Sequence, residues 1–454
     1  MRRFALIFAL FLGGCALEAG DVDTDADEVT TDAAMTALVG SAKKIVYANV
    51  KSTASKALTT ALTSAAKSGV EVHVILKEGS HDTTWQLQQS LEANGVDCDV
   101  MATSTVTGVN MIADKTALVG TSKKTATTAQ TSAFAQAFAG DKVSSGSLLP
   151  SGTVKVLPMP DKGRDRIIQV FGAAKKTIDL SIYALQERGV VASLEGAAKR
   201  GVTVRVMLEP KTVGGSNEAS MAKELSAAGI TVQSTPPNFD ASHNVDHAKF
   251  AIIDGKELLM GTGNMVRSGL GGVTDDVYAN RDFWFEDART TQIGEAQRVF
   301  DADWAHTSTS ASTLPDLVVT PDNADDTIGA FIDGAKKRLY LYNQSLSDAD
   351  YITKIIAAKK RGVDVRVLLG YQPAFGGQPP NAPAISQLTA AGIDAQYLKK
   401  HYLHAKAIVA DGEVYLGSQN FTNGGLRNNR EMGEILSDAT SVSTVVTTFE
   451  ADAE

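Results

Sequence analysis

His247, Lys249 and Asp254 fall within HAKFAIID, and GTGN ending at Asn264 follows. His404, Lys406 and Asp411 fall within HAKAIVAD, and GSQN ending at Asn420 follows. At residue frequencies of about one in twenty, a given His meets Lys two places on and Asp seven places on roughly once in 400 tries. Two such trios, each followed by Gly-x-x-Asn, point to one active site assembled from two halves. Lysine is a donor and a cation, asparagine a neutral donor, and histidine a nucleophile or a proton carrier. That set suits an anionic, tetrahedral phosphoryl centre. The lysines and asparagines hold its oxygens as charge builds, one neutral His attacks phosphorus, and the other, protonated, gives its proton to the leaving oxygen. Two imidazoles that share a reference pKa of about 6.5 must then be pushed apart. No carboxylate cluster with metal-ligand spacing lies nearby in the sequence, so the lysines are expected to supply the positive charge a metal otherwise brings, and no metal or cofactor is expected.

The spacing also fixes local geometry. Each stretch alternates like a strand, and residues two apart on a strand share a face, so His247 with Lys249, and His404 with Lys406, point the same way. Each Asp has the opposite parity and precedes Gly (Asp254-Gly255, Asp411-Gly412), a hairpin signal. Asp254 and Asp411 are therefore read as structural residues that set a turn. The returning strand, ELLMG or EVYLG, brings Asn264 or Asn420 back beside the His-Lys end.

The duplicated His-x-Lys-x4-Asp motif resembles that of the phospholipase D superfamily. The family places a Glu after the second motif to orient a catalytic His, which in NNREMGEIL falls on Glu431. After the first motif the matching stretch, ANRDFWFED, carries Asp282 where Glu is usual, and Thr262 stands where Ser418 stands in the second copy. The resemblance implies that His247 is the nucleophile, forming a phosphohistidine, and that His404 is the general acid that later activates water.

The duplication extends over whole lobes. AAKKTIDLSIYAL, AKRGVTVRVMLEP and AAGITVQ precede the first motif, and GAKKRLYLYNQSL, KKRGVDVRVLLGY and AAGIDAQ the second; the motif histidines lie 157 residues apart (247 to 404). Each lobe ends in a helix with an aromatic-acidic signature, RVFDADW or TTFEADAE. A third copy runs SAKKIVYANV, KSGVEVHVIL, EANGVDCDV, TGVNMIADKTALVGTS. Aligning Asp114 with Asp254 puts Thr107 in place of His and Val109 in place of Lys, so the fold signal persists and the chemistry is gone. Apolar β-branched runs alternating with Ala-Lys-Glu segments give an α/β class. The expectation is repeated phospholipase D-like lobes, each a mixed β-sheet flanked by helices. Two catalytic lobes (153–306 and 317–454) pack as a pseudo-dimer, and a degenerate lobe (36–143) precedes them. Ser/Thr/Gly/Pro-rich joints cover 144–152 and 307–316.

The first residues read as a targeting segment. A basic start (Arg2, Arg3), an apolar core from Phe4 to Leu12 and Leu12-Gly13-Gly14-Cys15 resemble a bacterial lipoprotein signal over 1–15, with Cys15 lipidated. Residues 16–35, acidic and poor in large apolar side chains, read as a disordered tether. The expected setting is an exported, membrane-anchored lipoprotein, on the periplasmic face of an outer membrane or at the cell surface. Cys98, in a predicted strand, is the other cysteine, so no internal disulfide forms in the mature chain. The remaining His (His73, His81, His243, His306, His401) share no pattern and default to the surface, with His243 and His401 close to the pocket mouth.

A net charge of −9 and a pI near 5.4 disfavour nucleic acid as a partner, since polyanion binding draws on basic surface. A tethered enzyme has lipid head groups within reach, so the expected substrate is a phospholipid. It would be cleaved to phosphatidate or have its phosphatidyl group passed to an alcohol. An extracytoplasmic metal-independent endonuclease and a non-catalytic envelope scaffold are the competing readings. Oligomeric state is not legible.

Overall fold

The structure is a computed structural model that describes residues 25–51, 53–77, 87, 90–91, 94–101, 109–132, 146–161, 163–210, 212, 218–234, 245–270, 279–371 and 379–454. Cys15, His81, Thr107 and His243 lie outside the described residues. The chain forms two compact units, Met1–Gln136 and Ala137–Glu454.

In the first unit, α1 (Asp25–Val39), β1 (Ile45–Lys51), α2 (Lys56–Lys67), β2 (Glu71–Lys77), β3 (Asp97–Met101), β4 (Met111–Ala113), β5 (Thr116–Val119) and β6 (Ser122–Thr125) follow in order. They build one sheet ordered β3-β2-β1-β4-β5-β6. The expectation of a disordered tether over 16–35 fails from Asp25 onward, because α1 begins there. The acidic composition of the segment hid the anchor: Met35 at its end, with Leu38 and Val39 just beyond it, is buried in the lobe's core, and Asp32 accepts the Ser55 N–H at 2.6 Å. Cys98 is buried in β3. His73 is not a surface residue either; it is largely buried and stacks on Tyr47.

The second unit holds two lobes of the same topology. Lobe 1 comprises β7 (Val154–Met159), α3 (Gly163–Ala173), β8 (Thr177–Ile182), α4 (Arg188–Lys199), β9 (Thr203–Leu208), α5 (Glu218–Ala227), β10 (Thr231–Ser234), β11 (Lys249–Ile253), β12 (Glu257–Gly261), α6 (Arg267–Leu270), β13 (Asn280–Asp287) and α7 (Thr290–Trp304). Lobe 2 comprises β14 (Leu317–Thr320), α8 (Ala324–Gly334), β15 (Arg338–Asn343), α9 (Ala349–Lys360), β16 (Asp364–Leu369), α10 (Ala382–Ala390), β17 (Asp394–Tyr397), β18 (Tyr402–Leu403), β19 (Lys406–Ala410), β20 (Glu413–Gly417), β21 (Glu431–Leu436) and α11 (Ala439–Ala453). Lobe 1 runs β10-β9-β8-β11-β12-β13, with β7 beside β13; lobe 2 runs β17-β16-β15-β19-β20-β21-β14. The repeated Arg-Gly-Val ends α4 and α9 in the same way, with Gly201 and Gly362 at φ 87° and 92°, a conformation in which only Gly avoids a Cβ penalty.

Three cores result. One lies on the outer side of each lobe's sheet. The third is shared: Phe250, Met260 and Phe283 of lobe 1 pack with Tyr342, Leu416 and Phe449 of lobe 2. In addition β13 pairs in parallel with β18, so the sheet of lobe 1 takes a strand from lobe 2.

The motif aspartates do one job in all three copies. Asp114, Asp254 and Asp411 each adopt a positive φ, of 49°, 55° and 52°. Each carboxylate accepts three successive backbone N–H groups at the start of a neighbouring strand: Lys43 to Ile45, Lys175 to Thr177, and Lys336 to Arg338, at 2.7 to 3.1 Å. The carboxylate thus ties the hairpin to the strand on which it pairs. Asp254→Ala should lower stability by about 1–3 kcal/mol, through three lost acceptors and a left-handed backbone that Ala tolerates poorly. A lowered urea midpoint with unchanged kcat per folded molecule is expected; lost turnover at unchanged stability would assign the residue to the chemistry instead.

Candidate active site

The strands begin at the motif lysines, not at the histidines. Lys249 and Lys406 open β11 and β19. His247 and His404 sit just before, where each lobe's chain is bound to the other lobe. The His247 N–H donates to the Arg430 carbonyl at 2.8 Å, and the His404 N–H donates to the Arg281 carbonyl at 3.1 Å. The lobe interface therefore holds both histidines directly.

The side chains cross in the same sense. Nδ1 of His247 lies 2.7 Å from Glu431 Oε2 of lobe 2, and Nδ1 of His404 lies 3.1 Å from Asp282 Oδ1 of lobe 1. Each carboxylate serves the histidine of the opposite lobe. With Nδ1 engaged, Nε2 is the nitrogen left for chemistry in both rings. The first-copy Asp282, shorter than Glu, is held by Thr262, as Glu431 is by Ser418. The Thr262 hydroxyl donates to Asp282 Oδ1 at 2.7 Å while accepting the Phe283 N–H at 2.9 Å. Gly263 is required beside it, because a Cβ there would collide with the Asp282 carboxylate. In the second copy the Met432 N–H donates to the Ser418 hydroxyl at 3.0 Å.

Both lysines are fully buried. The Lys249 ammonium donates to the His247 carbonyl and lies 5.1 Å from the Tyr183 ring centroid. Lys406 donates to the His404 carbonyl at 2.6 Å and across the interface to the Thr262 carbonyl at 3.3 Å. Register places each asparagine near its own histidine. Phe250 pairs with Met260 and Ala407 with Leu416, so Asn264 and Asn420 follow the return strands at the His-Lys end. The Oδ1 atoms of both asparagines are buried without a hydrogen-bond partner. The Asn420 amide lies 3.5 Å from Gln344 Oε1.

Electrostatics tie these groups into one centre. Burial drags the His247 pKa well below 6.5, and Lys249, Lys406 and His404 lower it further, so the two imidazoles lie within each other's field. His404 is also lowered, by burial and Lys406, but Asp282 pulls back toward protonation. Burial likewise brings Lys249 to about 7 and Lys406 to about 8. The two carboxyls part company. Burial raises Glu431 to about 7, whereas for Asp282 the charges on His404 and Lys406 outweigh burial and leave it below its usual range.

Residues 167–304 and 328–453, more than half of the chain and covering both lobes, match the family model described as cardiolipin synthase, PLD-like domain. The chain belongs to the phospholipase D superfamily. A cardiolipin synthase of Halalkalibacterium halodurans is 25% identical over 350 residues, which take in 67% of this chain and 66% of that protein. One of Clostridium perfringens is 25% identical over 294 residues, 55% of this chain and 59% of the relative. The chain thus spans just under two thirds of these relatives' own lengths, or less. Among solved structures it resembles a phosphatidylserine synthase of Haemophilus influenzae, with a TM-score of 0.50, 12% identity and coverage of 67% of this chain and 87% of the other. A polyphosphate kinase of Porphyromonas gingivalis gives a TM-score of 0.51 at 19% identity, over 66% of this chain and 47% of the other. At these identities the likeness speaks to the fold alone.

Several neighbours of this phospholipase D-like centre carry no sequence signature of their own. Asp246, beside His247, is buried and accepts from the Ser181 hydroxyl at 2.8 Å; burial and Asp303 raise its carboxyl to about 7. Its counterpart in lobe 2 is Leu403, so the duplicated pattern does not reveal it. Tyr183 meets the His247 ring edge-on at 4.8 Å. Aligning SIYAL with YNQSL sets Tyr183 against Gln344 and would have placed both at the end of a central strand. His401 is buried, not at the surface, while His306 is exposed after α7. Among the described residues no group of His, Cys, Asp and Glu is arranged to hold a metal ion.

Proposed function

We propose that this chain is a phospholipase D-type enzyme that transfers the phosphatidyl group of a phospholipid, through a phosphohistidine, to water or to an alcohol. The observation that carries the reading is the crossed arrangement: two imidazoles, each held at Nδ1 by the other lobe's carboxylate, within a centre containing two buried lysines.

The unequal electrostatics support the division of labour. His247, held neutral, attacks phosphorus through Nε2 while the bond from phosphorus to the head-group oxygen breaks. His404, backed by an ionised Asp282, gives its proton to that oxygen. In the second half, water or an alcohol attacks phosphorus, its proton passes to His404, and the bond to His247 breaks. Lys249, Lys406 and the amides of Asn264 and Asn420 steady the phosphoryl oxygens as charge builds. An arriving phosphodiester anion also draws both ammonium groups back toward their charged form. The relatives' name, cardiolipin synthase, supports a phospholipid substrate and an alcohol as acceptor.

Incubation with labelled phosphatidylcholine, phosphatidylglycerol and plasmid DNA in EDTA, with and without a primary alcohol, tests this reading. Conversion of lipid to phosphatidate, or to a phosphatidyl-alcohol when alcohol is present, is expected; cleavage of DNA alone would favour the nuclease. We place the enzyme at a membrane surface through a lipid on Cys15. Cys15→Ala, by removing the acylated residue, should abolish incorporation of labelled fatty acid, and unchanged incorporation would refute the anchor. Among the described residues no helix is long and apolar enough to cross a membrane.

The pH profile of kcat/KM follows from the same shifts. The rising limb reports deprotonation of His247 and the falling limb loss of the His404 proton. Both pKa values lie below 6.5 in the free protein, so the optimum falls on the acid side of neutrality. Asp282→Asn removes the anion that raises His404 and should move the falling limb to lower pH. An alkaline shift would contradict the assignment.

A further inference from the structure

The residue before each crossed carboxylate is an arginine, Arg281 before Asp282 and Arg430 before Glu431, and both arginines are buried. Their guanidinium groups cross the interface as well. Nε and Nη2 of Arg430 donate to Asp303, on α7 of lobe 1, at 3.2 and 2.9 Å. Nε and Nη2 of Arg281 donate to Asp452, on α11 of lobe 2, at 2.6 and 2.9 Å. Each Nη1 returns to its own lobe, to the carbonyl of Thr320 or of Met159, at 3.0 and 2.5 Å.

Successive side chains on a strand point to opposite faces. An arginine anchored on one face therefore sets the tilt at which the next residue's carboxylate emerges on the other. The same arginine's carbonyl receives the N–H of the histidine that this carboxylate holds. Three bonds from one dipeptide, to a helix, to a histidine backbone and to its ring, leave little freedom to rotate or slide. Buried ion pairs add little net stability over apolar packing, so holding the lobes together does not account for the pairs. Fixing their register does.

We propose that Arg281 and Arg430 are positioning residues, each aligning from the opposite lobe one imidazole of the reaction: Arg430 the nucleophile His247, Arg281 the acid His404. This rests on the roles assigned above. Misplacement by about 1 Å costs on the order of 10²-fold in rate.

The test uses two phosphatidyl diesters that differ in leaving group. An alkyl alkoxide needs a proton from His404, whereas nitrophenolate leaves without one. Arg430→Met with Asp303→Asn and Asp322→Asn, and Arg281→Met with Asp452→Asn, remove each guanidinium together with the buried carboxylates it binds, and Arg→Lys at each site serves as the conservative variant. Single-turnover formation of the phosphoenzyme should slow by about 10²-fold on both substrates for the Arg430 pair. For the Arg281 pair it should slow by about 10²-fold on the alkyl diester and stay within about threefold on the nitrophenyl one. KM should move less than about twofold, and lysine should recover part of each loss. Equal losses on both substrates for the Arg281 pair, no loss at all, or a loss confined to KM would overturn the proposal. If a paired variant fails to fold, the ratio of the two rates in the lysine variants decides in the same way. A wild-type chain that forms no phosphoenzyme would instead refute the functional reading, so the two failures are distinguishable.

Discussion

Replacing His247 with alanine is expected to eliminate the phosphoenzyme and to lower turnover by at least about 10⁴-fold. The lysines and amides would still bind the diester, so KM should change little. What is lost is the covalent route, in which one difficult displacement at phosphorus is split into two. His404→Ala should behave differently, because the attack by His247 survives. With a nitrophenyl leaving group, which departs unprotonated, the phosphohistidine should still form. It should then accumulate, since no group remains to take the proton from the attacking water or alcohol. Quenching in alkali and mapping the labelled peptide separates the two variants. Accumulation in His247→Ala in place of His404→Ala would reverse the assignment, and no label in either would remove the covalent intermediate.

That contrast depends on features of uneven legibility in the sequence. His247, Lys249, His404 and Lys406 stand out because chemistry demands particular residue types, and a duplicated fold repeats them at fixed spacing. The turn aspartates are legible for a related reason: Asp114 keeps its place in a lobe that lacks the motif's His and Lys, as a residue needed for folding should. The crossing of Glu431 to His247 and Asp282 to His404 is not legible, because it depends on how two sheets face each other and no local pattern encodes that. Asp246 and Tyr183 are missed because the other copy carries Leu403 and Gln344 at the matching positions, so no repeated residue type marks them. The start of α1 is missed because three apolar residues, Met35, Leu38 and Val39, outweigh an acidic neighbourhood once a core is there to receive them.

Lys249→Met and Lys406→Met should each lower kcat by about 10²- to 10³-fold, the scale on which removal of one preorganised donor at a developing charge is felt. Stability should move the other way or hold. Both ammonium groups are fully buried, at a cost that shows in their lowered pKa values of about 7 and 8. The sign follows from proton linkage. A lysine with a folded pKa of about 7 and an unfolded value near about 10.4 binds fewer protons in the folded state between those limits, so wild-type stability rises with pH across that window. Methionine cannot titrate, so any stability advantage of Lys249→Met is greatest below about pH 7 and shrinks as pH climbs toward 10. Urea unfolding at pH 6.5 and 9.5 measures the difference. An advantage that grows with pH would contradict the burial account, and a variant that keeps wild-type kcat would remove the lysine from the chemistry.

In the proposed reaction one phosphorus atom is reached by an imidazole from each lobe. A crystal grown with orthovanadate, which takes up the five-coordinate geometry of a phosphoryl group in flight, tests it directly. Vanadium is expected to be bonded to Nε2 of His247, with Nε2 of His404 facing the opposite apical oxygen and both lysines on the equatorial oxygens. Vanadate held by one lobe alone, or seated away from both rings, would contradict it.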